Sequence, residues 1–347
     1  MNDIFEEYLR EKEPQKKEKG YAWHTAIGLQ AVDGLQTSQY LIDTAKKNIE
    51  GDITFEEANA LIHSYYKENT AHTERAEEAD KVSVRIAQLL SEKAFVFSPA
   101  QYIAIHQKLF AGIYKHAGQI RDYNITKAEW VLDGDTVMYG GASELRATLD
   151  YDFSAEQDFS YKDRKMEQII KHLARFVSRL WQIHVFAEGN TRTTAVFFIK
   201  YLRTLGFDVT NDIFAENAWY FRNALVRANY TNLQKGVHET TEYLELFLRN
   251  LLLGEKNELK NRAMHIGGTL DSPKCKKQRD NCTLNCTLDE ALVLNLLQQN
   301  PKMTQKQLAQ EIKKSERTVK SITVSLEEKK RIERIGGKRF GYWKVNV

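Results

Sequence analysis

Residues 184–194, HVFAEGNTRTT, bring together side chains suited to phosphate chemistry. Gly189 and Asn190 allow a sharp turn, so that successive backbone N–H groups and the start of the following helix can bind a phosphate group. Arg192 adds a charge-assisted contact to the same group. Glu188 would repel phosphate unless a divalent cation lay between them, and Mg²⁺ is the natural candidate.

The histidine of this stretch precedes Glu188 by four residues. With a nucleotide triphosphate bound at the turn, His184 is placed to accept a proton from an attacking hydroxyl group, which predicts general-base phosphoryl or nucleotidyl transfer. A second interpretation stays open from the residues alone. In it, His184 is a histidine of the core, and Gly189 and Asn190 form an ordinary left-handed turn at a helix terminus.

Helices must position this stretch. Apolar residues recur at helical spacing in MEQIIKHLARFVSRLWQIH, residues 166–184, and the apolar run AVFFIKYLRTLGF follows the turn. The same spacing occurs in residues 38–50, and Thr54 with Glu57 forms a capping-box pattern at the start of another helix. The fold class is therefore predicted to be mainly α-helical.

One segment departs from the helical pattern. In RDYNITKAEWVLDGDTVMYGGA, residues 121–142, two β-prone runs flank Asp133-Gly134. An Asp-Gly pair between such runs predicts a β-hairpin.

The composition excludes several protein classes. The chain has 347 residues, of which 42% are hydrophobic and 28% charged, and its apolar runs are shorter than a membrane span. The N-terminus lacks the apolar core of a signal peptide. Three cysteines, Cys275, Cys282 and Cys286, are an odd number without a fourth metal ligand beside them, and fit unpaired thiols of a linker. We expect a cytoplasmic protein with no membrane partner.

The stretch from His184 to Ala195 resembles the HxFx(D/E)GNGRxxR signature of Fic (Fido) domain proteins. FAGIYKHAGQIRDY resembles the first helix of the Fic core and its exit, and the hairpin at 129–142 looks like the flap that docks the target. NAWYFRNALVRANY resembles the helix that lines the nucleobase pocket. The resemblance covers residues 95 to 250, approximately, and implies a Fic-type helical core with a β-hairpin flap.

Most Fic proteins transfer AMP from ATP to a hydroxyl side chain of a protein. The resemblance implies the same activity here, with ATP as co-substrate, Mg²⁺ as cofactor and a Tyr, Thr or Ser hydroxyl of a target protein, or of the chain itself, as acceptor. Residue by residue, it implies a general base at His184, a metal ligand at Glu188 and a phosphate-binding turn. The turn comprises Gly189, Asn190, Thr191 and Arg192.

The remaining positions carried over from the family concern the nucleobase and the target. Tyr220 and Phe221 would flank the base, with Asn223 nearby, although plain aromatic packing in the core explains the first two equally well. Val137, Met138 and Tyr139 of the flap would hold the target chain by strand addition. An edge hairpin without that role is the alternative.

The chain departs from the family signature at two positions. Thr191 replaces a glycine, and Ala195 replaces the second arginine, which in Fic proteins holds the terminal phosphate. Three outcomes stay open. Another cation such as Arg203 or Arg227 substitutes, the nucleotide is held mainly through its inner phosphates, or the enzyme is weakened or redirected.

The N-terminal segment resembles the inhibitory helix of Fic proteins, which carries the pattern (S/T)xxxE(G/N). Glu50-Gly51 fits its end, whereas Lys46 occupies the Ser/Thr position. Glu50 is therefore the candidate inhibitory glutamate, with Arg192 as the motif arginine left to receive it. A solvated glutamate at a helix end is the alternative.

The last sixty residues carry 13 Lys and Arg against 7 Asp and Glu. Three helical patterns followed by a glycine-containing turn predict a winged helix-turn-helix. Residues at the start of its presumed recognition helix and on its wing are candidates for DNA phosphate contacts: Ser315, Arg317, Thr318, Lys320, Lys338 and Arg339. The alternative is a winged helix used for protein contact, including homodimer formation.

These observations divide the chain into an N-terminal helical segment with the inhibitory helix (1–94), a catalytic core (95–253), a linker (254–286) and a winged helix (287–347). The leading hypothesis is an autoinhibited protein adenylyltransferase. The rival is a transcriptional regulator, in which a degenerate Fic core senses a nucleotide and the winged helix binds DNA. Intact His184 favours the enzyme, because a sensor has little use for a general base.

Overall fold

A computed structural model of the protein describes residues 5–9, 13–68, 74–209, 213–267, 285–336 and 341–346. The chain divides into two compact units. The first comprises Met1–Gln157 with Ala174–Lys274, and the second comprises Asp158–Leu173 with Cys275–Val347. Within the described ranges, no helix combines the length and the apolar content that a bilayer span would need.

The fold is mainly helical, as predicted. Fifteen α-helices occur in the described part of the chain: α1 (Glu6–Leu9), α2 (Pro14–Gly28), α3 (Gln39–Glu50), α4 (Phe55–Glu68), α5 (Glu74–Ser91), α6 (Pro99–Phe110), α7 (Leu145–Gln157), α8 (Met166–Ile183), α9 (Asn190–Thr204), α10 (Ile213–Glu216), α11 (Ala218–Arg227), α12 (Glu242–Leu253), α13 (Leu288–Gln299), α14 (Gln305–Glu311) and α15 (Glu316–Glu328). Two strands, β1 (Ile332–Ile335) and β2 (Tyr342–Val345), form an antiparallel pair.

Capping residues in the N-terminal helices account for where these helices begin. The Ser38 side chain accepts the N–H of Leu41 at 3.1 Å, and Thr54 and Glu57 exchange the two hydrogen bonds of a capping box. The predicted capping box is thus confirmed. Behind these caps, the indole N–H of Trp23 donates to Asn48 Oδ1 at 3.0 Å, which ties α2 to α3 within the core.

Helix α9 is the buried centre of the first unit, with residues 190–202 all buried. Two cationic side chains of α9 bind carbonyl groups at the C-terminal end of α5. Lys200 donates to the carbonyls of Leu89 and Glu92, and Arg203 donates to that of Leu90. Cations placed at carbonyls that a helix leaves without partners stabilise its C-terminus. The ammonium group of Lys200 and the guanidinium group of Arg203 therefore stabilise the packing of α5 on α9.

The segment predicted as a β-hairpin folds differently. Trp130–Leu132 forms a 3₁₀-helix, which Asp133 ends in the left-handed conformation at φ 56°. The N–H of Glu129 donates to the carbonyl of Asp135 at 2.9 Å, and residues 135–141 have no strand partner. The hairpin prediction is wrong because the consecutive residues Val131 and Leu132 are both fully buried, whereas a strand would direct them to opposite faces.

The predicted winged helix is confirmed. Helices α13, α14 and α15 pack around an apolar core, and β1 pairs with β2 in the register Ile332 to Val345. Thr287 and Thr304 form capping boxes at the starts of α13 and α14, which fix where both helices begin. In the same unit, the N–H of Met166 donates to the carbonyl of Cys286 at 2.9 Å.

The polar segment that follows α12 is anchored to the first unit over its described part. Asn250 exchanges hydrogen bonds with Asn257, and Met264 is fully buried. Of the cysteines, Cys286 is buried, whereas Cys275 and Cys282 lie outside the described residues.

Candidate active site

Helix α8 delivers His184 to the site. The residue follows the helix in a left-handed conformation at φ 51°, and its N–H donates to the carbonyl of Trp181 at 3.1 Å. Such a backbone is uncommon outside glycine, and histidine is among the residues enriched in it. Arg121 Nε donates to the His184 carbonyl at 2.8 Å and holds the turn. The imidazole is 4% exposed, with its ring centre 4.4 Å from that of Tyr139.

The hydrogen bonding of the imidazole defines its free nitrogen. Nδ1 of His184 lies 3.3 Å from the carbonyl oxygen of Trp181, and a carbonyl only accepts. Nδ1 therefore carries the hydrogen, and Nε2 presents a lone pair. Burial lowers the pKa of His184 well below its usual value, and the charge of Lys127 lowers it further. The neutral ring is thus the form present near pH 7, as a proton acceptor requires.

The turn after His184 is closed by its own side chains. Asn190 Oδ1 accepts the N–H of Phe186 at 3.0 Å, while Asn190 Nδ2 donates to the Phe186 carbonyl at 2.7 Å. His106 Nδ1 accepts the N–H of Gly118 at 2.8 Å, and its Nε2 donates to the Glu188 carbonyl at 3.0 Å. Asn190 thus binds the turn itself, and any phosphate contact comes from backbone N–H groups.

Gly189 is required by the packing at the start of α9. Its φ is 74°, and an added Cβ would lie 2.4 Å from Cε2 of Phe110. A ring that lies directly against the glycine leaves no room for a side chain. Thr191, where a glycine was expected by resemblance, accepts the indole N–H of Trp181 at 3.0 Å and ties α9 to α8.

Arg192 is buried, and its guanidinium group forms ion pairs with two carboxylates. Its Nε lies 2.8 Å from Asp33 Oδ2, its Nη2 2.5 Å from Glu78 Oε1, and its Nη1 donates to Gln30 Oε1 at 3.0 Å. These partners come from the N-terminal helical segment. The side chain predicted to bind phosphate therefore binds carboxylates in this structure.

Glu188 lies at the exposed side of the turn. Its carboxylate is 56% exposed and forms an ion pair of 3.0 Å with Lys127, whose side chain is 29% exposed. Lys127 was not predicted as a site residue, because a single lysine in a segment predicted to be a strand carries no signal. The structure brings Lys127, Glu188 and His184 to one site.

Parts of the chain are similar to known proteins. Residues 96–202 match the model of the Fic/DOC family, and residues 292–333 match that of winged helix-turn-helix DNA-binding domains. The chain carries a Fic/DOC domain. It is 30% identical over 110 residues to "Probable protein adenylyltransferase y4lH" of Sinorhizobium fredii, which is 32% of this chain and 55% of that protein. The match thus spans about half the length of the relative.

The solved structure of a Fic family protein from Desulfovibrio desulfuricans G20 aligns with 99% of this chain and 92% of its own. The sequence identity is 14% and the TM-score is 0.46.

Within the Fic domain, one of the three predicted target-docking residues is exposed. Met138 is 85% exposed, and its carbonyl accepts a hydrogen bond from Gln182 at 3.0 Å. Val137 and Tyr139 are buried, and the Tyr139 hydroxyl donates to Glu129, which Arg222 also binds. Val137 and Tyr139 thus stabilise the loop from its buried side. Both can be buried because an irregular loop does not direct alternate side chains to opposite faces, as a strand would.

The aromatic residues predicted to flank a nucleobase lie in the core. Tyr220 is 1% exposed and donates to the carbonyl of Tyr243, while the Phe221 ring lies 5.0 Å from that of Phe214. In this position neither ring can contact a nucleobase. Aromatic packing in the core, the alternative interpretation from the sequence, accounts for both residues. Asn223 is buried, with Nδ2 donating to Asn261 and Oδ1 without a hydrogen-bond partner.

Glu50 does not reach Arg192. Its carboxylate is paired with Lys16 at 2.8 Å at the end of α3. Its pKa is lowered by Lys16 first and by the Tyr8 hydroxyl second. The prediction that Glu50 meets Arg192 is wrong, because Asp33 and Glu78 occupy the guanidinium. The sequence pattern placed Glu50 correctly at a helix end but contained no information on which carboxylate packs against α9.

The residues predicted to contact DNA divide into two groups. Arg317 and Lys320 are exposed on α15, whereas Ser315 accepts the N–H of Thr318 and caps the helix. Ser315 and Thr318 thus have a structural function at this position. Lys338 and Arg339 lie outside the described residues.

Proposed function

We propose that the chain is a Mg²⁺-dependent protein adenylyltransferase. The observation that carries the proposal is His184, a buried neutral imidazole with its proton held on Nδ1, beside a tight glycine turn at the start of α9. A relative named a probable protein adenylyltransferase supports the choice of AMP as the transferred group.

The chemistry follows from the placement of Nε2. A hydroxyl group of the target gives its proton to Nε2 of His184 while its oxygen attacks the α-phosphorus of ATP. The bond from that phosphorus to the bridging oxygen breaks, and pyrophosphate leaves. Backbone N–H groups at the start of α9 bind the phosphate oxygens, and the helix dipole favours their charge.

The residues present fit a magnesium ion bound through its substrate. In the described part of the chain, no cluster of three potential protein ligands occurs, and Glu188 offers one half-exposed carboxylate. Mg²⁺ is commonly held by one or two carboxylates together with phosphate oxygens and water. When bound, the ion would neutralise phosphate charge, and Glu188 would hold it at the turn.

The N-terminal segment restrains the site in this proposal. Asp33 and Glu78 hold Arg192, the one arginine of the signature, away from any phosphate. A buried arginine with two carboxylate partners is released only if both are lost or displaced. We therefore assign the restraint to these two residues rather than to Glu50.

The test is transfer of AMP to protein by the purified full chain, and its dependence on His184. Adenylylation that requires His184 supports the proposal, and transfer that is indifferent to His184 refutes the assigned base.

A DNA-binding regulator is the second candidate. Two observations favour it: the match to winged helix-turn-helix DNA-binding domains, and the exposed cations Arg317 and Lys320 at the start of α15. DNA affinity that falls steeply with salt and changes with added nucleotide would support it. The two functions are compatible within one chain.

A further inference from the structure

Three cations act on the imidazole of His184 through their charge: Lys127, Arg121 and Arg222. Two of them, Arg121 and Arg222, are held in place by hydrogen bonds to buried groups of the fold. Arg121 donates to the carbonyls of His184 and Gly140 at 2.8 and 2.6 Å, and Arg222 forms a two-point ion pair with the buried Glu129 at 2.6 and 3.1 Å. Moving either group would leave buried carbonyls or a buried carboxylate without a partner, which is costly.

The two cations named from the sequence as substitutes are enclosed by the fold. Arg203 donates to the carbonyl of Leu90 at the end of α5. Arg227 is 4% exposed; its Nη2 donates to the carbonyl of His238 at 3.4 Å, and its Nε and Nη1 are buried without hydrogen-bond partners among the described residues, so that this guanidinium is shut off from solvent. Arg192 is held by Asp33 and Glu78.

Lys127 differs from these residues in its partner and its exposure. Its ammonium pairs with Glu188, and both side chains reach solvent, with exposed fractions of 29% and 56%. An ion pair of this kind contributes little to stability, because water screens it. The Lys127 ammonium can therefore leave Glu188 at small cost, and its flexible stem lets it follow a new partner.

We propose that Lys127 binds the outer phosphates of the nucleotide triphosphate at this site. The inference rests on the proposed function and assigns the phosphate-binding cation within it. In this structure Lys127 and Glu188 neutralise each other. With a triphosphate and its divalent cation bound, Glu188 would hold the metal and Lys127 would pair with the β- and γ-phosphate oxygens, so that each charge would exchange one opposite partner for another.

The experiment compares two nucleotides that differ in their outer phosphates. Titration calorimetry measures the dissociation constants of a non-hydrolysable ATP analogue and of AMP, both with Mg²⁺, for the wild type, Lys127→Ala and Lys127→Arg. Lys108→Ala is the matched control, because Lys108 is an exposed lysine that pairs with Glu92 away from the turn. Thermal unfolding of each variant shows that the fold is retained.

Lys127→Ala is expected to weaken binding of the ATP analogue by about tenfold or more, as loss of a charged contact does. AMP binding stays within about twofold, because AMP lacks the outer phosphates. Lys127→Arg restores most of the affinity, and Lys108→Ala has no effect.

Equal losses for AMP and the ATP analogue would overturn the inference, since they would show that Lys127 merely shapes the turn. No loss in Lys127→Ala, with a wild type that binds the analogue, would overturn this inference alone. A wild type that binds neither nucleotide would overturn the proposed function together with it.

Discussion

The guanidinium group of Arg192 is bound by Asp33, whose Oδ2 lies 2.8 Å from Nε. This contact joins the N-terminal segment to the first turn of α9, where the proposed phosphate site begins. Glu78 completes the pairing from α5. The only arginine of the signature is thus withheld by its own chain.

Removal of the two carboxylate charges is predicted to release Arg192. The double variant Asp33→Asn, Glu78→Gln keeps side-chain size and lowers the cost of moving the guanidinium. We expect AMP transfer to increase by about tenfold, equivalent to roughly 1.4 kcal/mol. Labelled AMP incorporation into protein measures it.

Glu50→Gln is the matched control for this prediction. It neutralises a carboxylate of the same segment that pairs with Lys16 and not with Arg192, so transfer should equal that of the wild type. If the double variant transfers no more AMP than this control, Arg192 serves only to bind the N-terminal segment.

Replacement of Gly189 is predicted to strain both backbone and packing. An alanine at this position must adopt the left-handed backbone conformation, which costs about 1–2 kcal/mol. Its Cβ would also lie 2.4 Å from the Phe110 ring. We expect Gly189→Ala to lower the free energy of unfolding by about 2–4 kcal/mol.

The variant Gly254→Ala separates the backbone strain from the steric contact with Phe110. Gly254 has a similar φ of 65°, and an added Cβ meets nothing within 4 Å. Urea denaturation of both variants gives the difference. Equal destabilisation would show that Phe110 moves aside freely.

The pH dependence of stability is predicted from His106. Burial lowers its pKa to about 4, and its two nitrogens are occupied by Gly118 and Glu188. Because the folded-state pKa lies below the unfolded value of about 6.5, the stabilisation is complete above pH 6.5 and is lost as the pH falls toward 4. The loss amounts to at most about 3 kcal/mol.

Chemical denaturation of the wild type and of His106→Gln between pH 5 and 7.5 tests this sign. The wild type should lose stability toward the acid end of the range, and the variant should lose less over the same range. His184, whose pKa is also lowered, contributes a slope that both proteins share. Parallel curves would contradict a neutral, buried His106.

Several parts of this structure were predictable from local sequence. The cap at Thr54, the helices around the Fic signature and the winged helix all depend on residues close in sequence, and all were found. Short-range patterns report which residues start a helix and which face of it is apolar.

The predictions that failed concern contacts between residues that are distant in sequence. Asp33 and Glu78 lie 159 and 114 positions from Arg192, and no pattern near either one indicates the pairing. The Asp133-Gly134 pair suggested a hairpin, but the adjacent buried residues Val131 and Leu132 selected a 3₁₀ turn instead. Lys127 was missed for the same reason as the two carboxylates, because its partner Glu188 is 61 positions away.

DNA binding by the winged helix is predicted to depend on exposed cations of α15. If Arg317 and Lys320 each contact one phosphate, the double variant Arg317→Ala, Lys320→Ala should reduce the slope of log affinity against log salt by about two. Fluorescence anisotropy with a duplex of arbitrary sequence measures this slope. A slope unchanged by the double variant would place the DNA contact elsewhere or argue for a protein partner.

The central claim is that His184 is the base of a nucleotidyl transfer, and its most direct test uses His184→Asn. Asparagine tolerates the left-handed backbone at this position, where φ is 51°. The wild type, His184→Asn and the Asp33→Asn, Glu78→Gln variant are incubated with Mg²⁺ and each of the four ribonucleoside triphosphates, with and without lysate proteins. Mass spectrometry then detects nucleoside monophosphate on protein. We predict AMP on protein with the wild type, more with the released variant and none with His184→Asn; transfer that persists in His184→Asn, or that no form of the chain catalyses, would contradict the account.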